Sequence, residues 1–349
     1  MTHSLGEFEL IAALRERLGT ASAPAGASGL VVGSGDDAAV TEASGATVTT
    51  VDAAIEGVHF QRDTAPLRAI GHKALAGALS DLAAMGAEPG EAYIQLGLSE
   101  DTTEEDCFEL ADGIADVARA HRLTIAGGDV TRSPVLLLAV TAVGYASSAD
   151  ELVLRSGASP GDVLAVTGEL GGAAAGLILL RDAGLASEIS EPTAKALRDR
   201  QLRPEPRIDA GRELASAGAS AMIDLSDGLG GDAVHLAGAS GVAARIELEQ
   251  VPVADGVEAI AKAAGAEPLE LATAGGEDYE LLVALPPDRV EHARRTLDSL
   301  GVRLTAIGEL SEGKGVELIG PDGTARPARG FDHLALRRSP SGRAEPGGP

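Results

Sequence analysis

The run KALAGALSDLAAMGAEP, Lys73–Pro89, decides how the chain is read. From His72 onward, Leu75, Leu79, Leu82 and Met85 recur at helical spacing, and Gly86 and Pro89 supply the stop. Ala92–Leu98 then reads as a strand. Glu104–Ala120 reads as a second amphipathic helix that Thr102 or Thr103 can cap. Asp81 lies mid-helix, away from Leu75 and Leu79. Its ordinary reading is a solvated helix face; the other is a carboxylate reaching into a shared site.

Working outward, Glu7–Leu18 forms a short helix with Phe8, Ile11 and Leu14 or Leu18 on one side, and 20–29 is a mobile connection. Leu30–Val32, Ala38–Val40, Thr47–Val51, Thr124–Ile125 and Val135–Val143 are strand-like. The pattern restarts past Ala146–Asp150 with a strand at Gly161–Val166 and a helix at Gly172–Asp182. Residues 189–206 read as a loop or surface helix, and Ile208–Ala217 as a helix. Met222–Ile223, Ala244–Leu248, Glu280–Leu285 and Leu304–Leu310 read as strands, with helices at Asp232–Ser240 and Val290–Leu300. Both halves mix strands and helices, so the fold class is α/β (α+β) in two domains, 1–148 and 149–336, with a disordered tail at 337–349.

The chain has 349 residues, enough for two domains of roughly 150 to 200 residues. Its 44% hydrophobic content excludes disorder throughout. The formal charge of −25 disfavours nonspecific nucleic-acid binding and docking on anionic membranes. An anionic substrate would need local cations, and metal ions are the obvious ones. A single cysteine, Cys107, excludes an intrachain disulfide and a thiolate metal site. The N-terminus has no uninterrupted apolar signal core, so the expectation is a soluble cytoplasmic protein.

Familiar nucleotide motifs are absent. Gly33-Ser34-Gly35-Asp36-Asp37-Ala38 has dinucleotide-like spacing, but its two carboxylates stand where a pyrophosphate needs bare N–H groups. There is no P-loop and no protein-kinase motif set. Carboxylates recur instead in six short segments, four of them beside glycine: Asp36-Asp37, Asp52, Asp81, Asp129, Asp224 with Asp227, and Glu277-Asp278. Each alone reads equally well as a turn. Six together, mostly beside apolar strand-like residues and with few basic neighbours, point to Mg²⁺ bridging carboxylates to phosphates. Arg155 reads as a phosphate clamp or a surface arginine, His59 as structural or functional, and Lys73 with His72 as solvated. Cys107 is a core residue. The Gly171–Gly176 run favours close helix packing over anion contact.

In order, GEFELI (Gly6–Ile11), GSGDDAAV (Gly33–Val40), VDAAIEGVHF (Val51–Phe60), the opening run, AGGDVTR (Ala126–Arg132), LRSGASPGD (Leu154–Asp162), IDLSDGLGGD (Ile223–Asp232), GGEDYELL (Gly275–Leu282) and GFDH (Gly330–His333) resemble the thiamine-monophosphate kinases of the AIR-synthase-like (PurM-like) ATP-binding superfamily. The likeness spans roughly residues 5 to 335. It implies an N-terminal domain with a mixed four-stranded sheet and flanking helices, an α/β C-terminal domain, and a homodimer with a barrel-like core. It implies phosphorylation of thiamine monophosphate by ATP with several Mg²⁺ ions.

Carried over by position, Asp37, Asp52, Asp81, Asp129, Asp224 and Asp227 resemble metal-linked carboxylates, with Thr50 beside them. Gly128 and Asp129 resemble nucleotide-loop residues, and Arg155 and Ser226 ATP contacts. His59, Glu277 and Phe331 resemble thiamine-phosphate contacts. Asp52, Asp227 and Arg155 would carry the chemistry. Val51 stands where the family usually has Thr, which suits a metal contact through the backbone carbonyl. Another ATP-dependent member of the superfamily and a noncatalytic nucleotide-binding scaffold are the alternatives.

Overall fold

A computed structural model describes residues 6–19, 29–34 and 38–331. Asp37, most of the 20–29 connection and the 337–349 tail lie outside the described residues, as does the side chain of Phe8.

The N-terminal half runs α1 (Glu7–Gly19), β1 (Leu30–Val32), β2 (Val40–Thr41), β3 (Ala46–Ile55), α2 (Leu67–Ala84), β4 (Glu88–Leu98), α3 (Glu104–Ala120), β5 (Thr124–Arg132) and β6 (Leu137–Ala146). On α1 Leu14 is buried as expected, and Leu10 is buried in place of the neighbouring Ile11. Strands β3-β6-β4-β5 form a mixed four-stranded sheet, antiparallel except between β4 and β5. Alternation sends Thr50 and Asp52 to the same face as the buried Val140, Ala142, Ala92 and Ile94. Val51 points the other way and is 71% exposed.

Helix α2 starts five residues before the expected His72 and buries most of its surface between β3 and β6 on one side and α3 on another. Small residues set these approaches. A Cβ on Gly113 of α3 would stand 1.9 Å from the Arg68 carbonyl oxygen, and one on Gly71 of α2 would stand 2.1 Å from that of Leu110. Thr103 begins α3 with a reciprocal cap: its hydroxyl accepts from Asp106 N–H, and the Asp106 carboxylate accepts from Thr103 N–H.

The C-terminal half contains β7 (Val163–Thr167), α4 (Gly172–Arg181), α5 (Glu191–Leu202), α6 (Ile208–Ala217), β8 (Ala221–Asp224), α7 (Leu229–Ser240), β9 (Ala243–Glu247), α8 (Val257–Ala263), α9 (Pro268–Ala274), β10 (Leu281–Leu285), α10 (Val290–Ser299), β11 (Leu304–Ser311), β12 (Gly315–Ile319) and β13 (Ala325–Pro327). The strands form one sheet in the order β13-β12-β9-β11-β7-β10-β8, parallel only between β12 and β9. A hydrophobic core joins the halves: Leu75, Leu79 and Leu82 of α2 belong to the same buried cluster as Met222, Leu281, Val283 and Leu285.

Of the two readings of 189–206, the helix holds: most of the stretch is α5, capped by Ser190 and burying Ala194 and Leu197. Strand β5 continues through Gly127–Arg132 because it pairs with β4 to its end, so Gly128 and Asp129 sit on a strand and not in a loop. Helices α8 and α9, of seven residues each, are too short to show a period. No helix among the described residues is long and apolar enough to cross a membrane.

Candidate active site

The site is built around one stripe of α2. Lys73, Gly77, Ser80 and Asp81 follow helical spacing and face the seam between the halves. Lys73 pairs with Glu277 at 2.6 Å, and its side chain is 13% exposed, so it is not solvated. Gly77 leaves room for two groups: a Cβ there would stand 2.9 Å from Asp52 Oδ2 and 3.3 Å from the Tyr279 hydroxyl. Ser80, fully buried, donates to Asp224 Oδ2 at 2.9 Å. Asp81 accepts from the Thr50 hydroxyl at 2.5 Å. The solvated reading of Asp81 is thereby replaced: it faces β3.

Asp224 ends β8, and the loop after it carries Ser226 and Asp227. Asp227 N–H donates to Asp232 Oδ2 at 3.1 Å, and Asp232 is 2% exposed. These acids crowd one another. Burial, then the charge on Asp81, pushes the Asp224 carboxyl up to about 7. Burial, then Asp224 and Asp227, pushes Asp232 up to about 8. The positive charge of the exposed Arg155 opposes both shifts. Among the described residues no three His, Cys, Asp or Glu side chains are gathered closely enough to hold a metal by themselves.

The 275–280 segment closes the site. Glu277 and Tyr279 have φ of 69° and 51°, a left-handed backbone rare outside glycine. Three backbone bonds hold it: Glu277 N–H to the Ser226 carbonyl at 2.9 Å, Tyr279 N–H to that of Leu225 at 3.0 Å, and Leu225 N–H to the Glu280 carbonyl at 2.7 Å. Gly276 is needed for this approach, since a Cβ there would stand 2.3 Å from the Ser226 oxygen. Burial first, then Glu277, Asp52, Asp224 and Asp81, raises the Tyr279 phenol far above its usual range, so it stays a neutral donor. Asp278 turns the other way and accepts from Gly171 and Ala173 N–H at the start of α4. The Gly171–Gly176 run therefore does both things: its amides meet an internal carboxylate, and Gly176 packs on α5, where a Cβ would stand 2.0 Å from the Leu197 oxygen.

Known proteins resemble the chain over nearly its whole length. The family model for AIR synthase related protein, N-terminal domain, matches residues 35–146, and that for the C-terminal domain matches residues 159–321. Thiamine-monophosphate kinase of Salmonella typhimurium is 37% identical over 341 residues, 95% of this chain and 98% of that protein. The chain belongs to the thiamine-monophosphate kinase family. The crystal structure of thiamine-monophosphate kinase from Stenotrophomonas maltophilia superposes with a TM-score of 0.79 at 36% identity, covering 92% of this chain and 98% of that one. The structure of AaThiL complexed with AMPPCP and TMP superposes at 0.74 with 32% identity, covering 96% and 100%.

Of the residues that the kinase family pattern marks, Thr50, Asp52, Asp81, Asp224, Asp227, Ser226, Arg155 and Glu277 converge on the seam. Phe331 joins them through its N–H, which donates to the Asp227 carbonyl at 2.9 Å. Val51 and Asp129 do not: register places both on the opposite face of the four-stranded sheet. Gly128 is on the inner face, its backbone so close to Ile94 that a Cβ would stand 2.2 Å from that residue's oxygen. His59 Nδ1 accepts from Ile55 N–H at 3.1 Å, which leaves the proton of a neutral ring on Nε2. Sequence reasoning missed Ser80, Asp232, Gln201 and Tyr279 as site residues. Ser80 carries a local signal, the spacing from Lys73.

Glu280 anchors the closing segment from behind. It is 2% exposed and accepts from Arg207 Nη2 at 2.6 Å, Arg207 Nε at 2.7 Å and the Thr167 hydroxyl at 2.7 Å. Arg207→Met strands that buried charge and should cost about 3–5 kcal/mol. Urea unfolding of the variant checks this; a loss below about 1 kcal/mol would show the pair to be solvent-screened.

Proposed function

We propose that the chain transfers the γ-phosphoryl group of ATP to thiamine monophosphate, giving ADP and thiamine diphosphate. One observation carries this: near full-length likeness to thiamine-monophosphate kinases, among them AaThiL complexed with AMPPCP, a methylene analogue of ATP, and TMP.

The acceptor phosphate, with a second pKa near 6, is largely dianionic at neutral pH and needs no strong base. An acceptor oxygen bonds to the γ-phosphorus as the bond to the β–γ bridging oxygen breaks, and ADP leaves with that electron pair. The obstacle is repulsion between two anions in an acidic chain. We assign Asp52, Asp81, Asp224 and Asp227, with Thr50, to Mg²⁺. The donors fit a hard cation: they are all oxygens, and the crowding that lifts Asp224 and Asp232 is what a cation relieves. Since no side-chain cluster among the described residues is complete on its own, substrate phosphates would fill the remaining positions. Bound Mg²⁺ would supply charge neutralisation and in-line alignment.

Arg155 balances the nucleotide phosphates, and Ser226 contacts the nucleotide. Edge strand β5 offers Gly128 and Asp129 to phosphates lying along that edge, and Val51 contributes its carbonyl. Asp37, which lies outside the described residues, is assigned to Mg²⁺ by the family resemblance alone. Glu277, His59 and Phe331 receive the thiamine moiety. The outer face of the four-stranded sheet, with Val51 exposed, is read as the surface that meets a second copy in a barrel-like core. Sedimentation equilibrium should give twice 35.1 kDa, and a monomer at micromolar concentration would contradict the dimer.

The direct test is product analysis with ATP, with and without thiamine monophosphate, at several Mg²⁺ concentrations. Equal ADP and thiamine diphosphate, requiring both acceptor and metal, is expected. Asp52→Asn and Asp227→Asn should lower turnover on the order of 10²–10³-fold with thermal unfolding preserved. ADP without thiamine diphosphate would move the acceptor elsewhere in the superfamily, and normal turnover in both variants would remove those aspartates from the site.

A further inference from the structure

Glu277 is held from two directions. Lys73 of α2 reaches its Oε1 at 2.6 Å, and Gln201, the buried penultimate residue of α5, donates from Nε2 to its Oε2 at 2.7 Å. One donor comes from the N-terminal half and the other from the C-terminal half. The backbone of Glu277 is already fixed in a left-handed conformation by the Ser226 carbonyl. Side chain and main chain are therefore both determined before any ligand arrives.

We propose that Lys73, with Gln201, is a positioning residue for the acceptor site, acting through Glu277; this rests on the reading of the chain as a thiamine-monophosphate kinase. Each carboxylate oxygen has two lone pairs. Lys73 and Gln201 each occupy one, on different oxygens. The plane of the carboxylate is then set, and a free lone pair on each oxygen points in a fixed direction. A ligand that presents N–H donors there meets a preorganised acceptor and loses little to ordering it. Lys73 also cancels the charge of Glu277, so this point selects by hydrogen-bond geometry more than by attraction of any cation.

Lysine at this place is not a compositional accident, because the chain has four lysines among its 28 basic residues. Lys73 also lies on the α2 stripe with Gly77, Ser80 and Asp81, one turn from the space shared by Asp52 and Tyr279. The acceptor-orienting and phosphate-facing groups thus hang on one rigid element. A change at Lys73 should be felt by the acceptor and not by the nucleotide.

The test is Lys73→Met, with Lys73→Arg, Glu277→Gln and the Lys73→Met/Glu277→Gln pair, in the full chain. Titration calorimetry with thiamine monophosphate and, separately, with AMPPCP is read beside steady-state kinetics. Lys73→Met should raise Kd and KM for thiamine monophosphate about tenfold, the loss expected when a charged hydrogen bond goes. Its Kd for AMPPCP and KM for ATP should stay within twofold. Lys73→Arg should recover part of the loss, and the pair should be no worse than Glu277→Gln alone. Equal weakening of both ligands, unchanged affinity for thiamine monophosphate, or full additivity in the pair would overturn the role. If the wild type itself neither binds nor phosphorylates thiamine monophosphate, the reading of function fails and this role with it.

Discussion

Helix α2 must be apolar or paired on nearly every side because it lies between the four-stranded sheet and the second half of the molecule. Its leucines join the core shared by both halves. Glycines let α3 come within backbone contact, and Gly211 does the same for α6, where a Cβ would stand 2.0 Å from the Ala83 oxygen. Each polar group on α2 then needs a partner in place. A buried hydroxyl left without one costs roughly 1–3 kcal/mol, so Ser80 must have Asp224. Asp81 has Thr50, and Lys73 has Glu277. Satisfying those groups draws β3, β8 and the 275–280 segment to one place, and that place is the site.

Electrostatics follows from the same crowding. A chain of charge −25 can bind phosphates only if its acids are concentrated where cations join them. Asp224 and Asp232 are driven toward protonation by burial and by their acidic neighbours, while the Ser80 hydroxyl on Asp224, the Asp227 N–H on Asp232 and the field of Arg155 pull the other way. Acids that repel one another at low dielectric store a demand for positive charge. Mg²⁺ arriving with nucleotide phosphates meets it. The same segment that contributes Glu277 also turns Asp278 onto the α4 amides and buries Glu280 against Arg207, so it is pinned on both sides.

Much of this was legible in the residues. The bounds of α3 and α6 follow from local period and capping, and the structure gives them as Glu104–Ala120 and Ile208–Ala217. Four of the six acidic segments are marked by glycine neighbours, and Asp52 and Asp81 only by their order along the chain. What the sequence hid was long-range. The Ser80–Asp224 and Gln201–Glu277 bonds join residues 144 and 76 positions apart, and no local pattern encodes them. Strand β5 reads as too short in the sequence because Gly127-Gly128-Asp129 has turn composition, and pairing to β4 overrides that. Parity along β3 was readable, yet the side to which Val51 and Asp129 turn depends on which sheet face the helices cover.

The measurement that bears most directly on this account is anomalous diffraction from crystals of the full chain grown with AMPPCP, thiamine monophosphate and Mn²⁺, which takes the same oxygen ligands as Mg²⁺. Manganese peaks bonded to oxygens of Asp81 or Asp224 and to nucleotide phosphate, at the seam faced by α2, are the predicted result. Peaks confined to the outer face of the four-stranded sheet, with those two carboxylates bound to none, would contradict it.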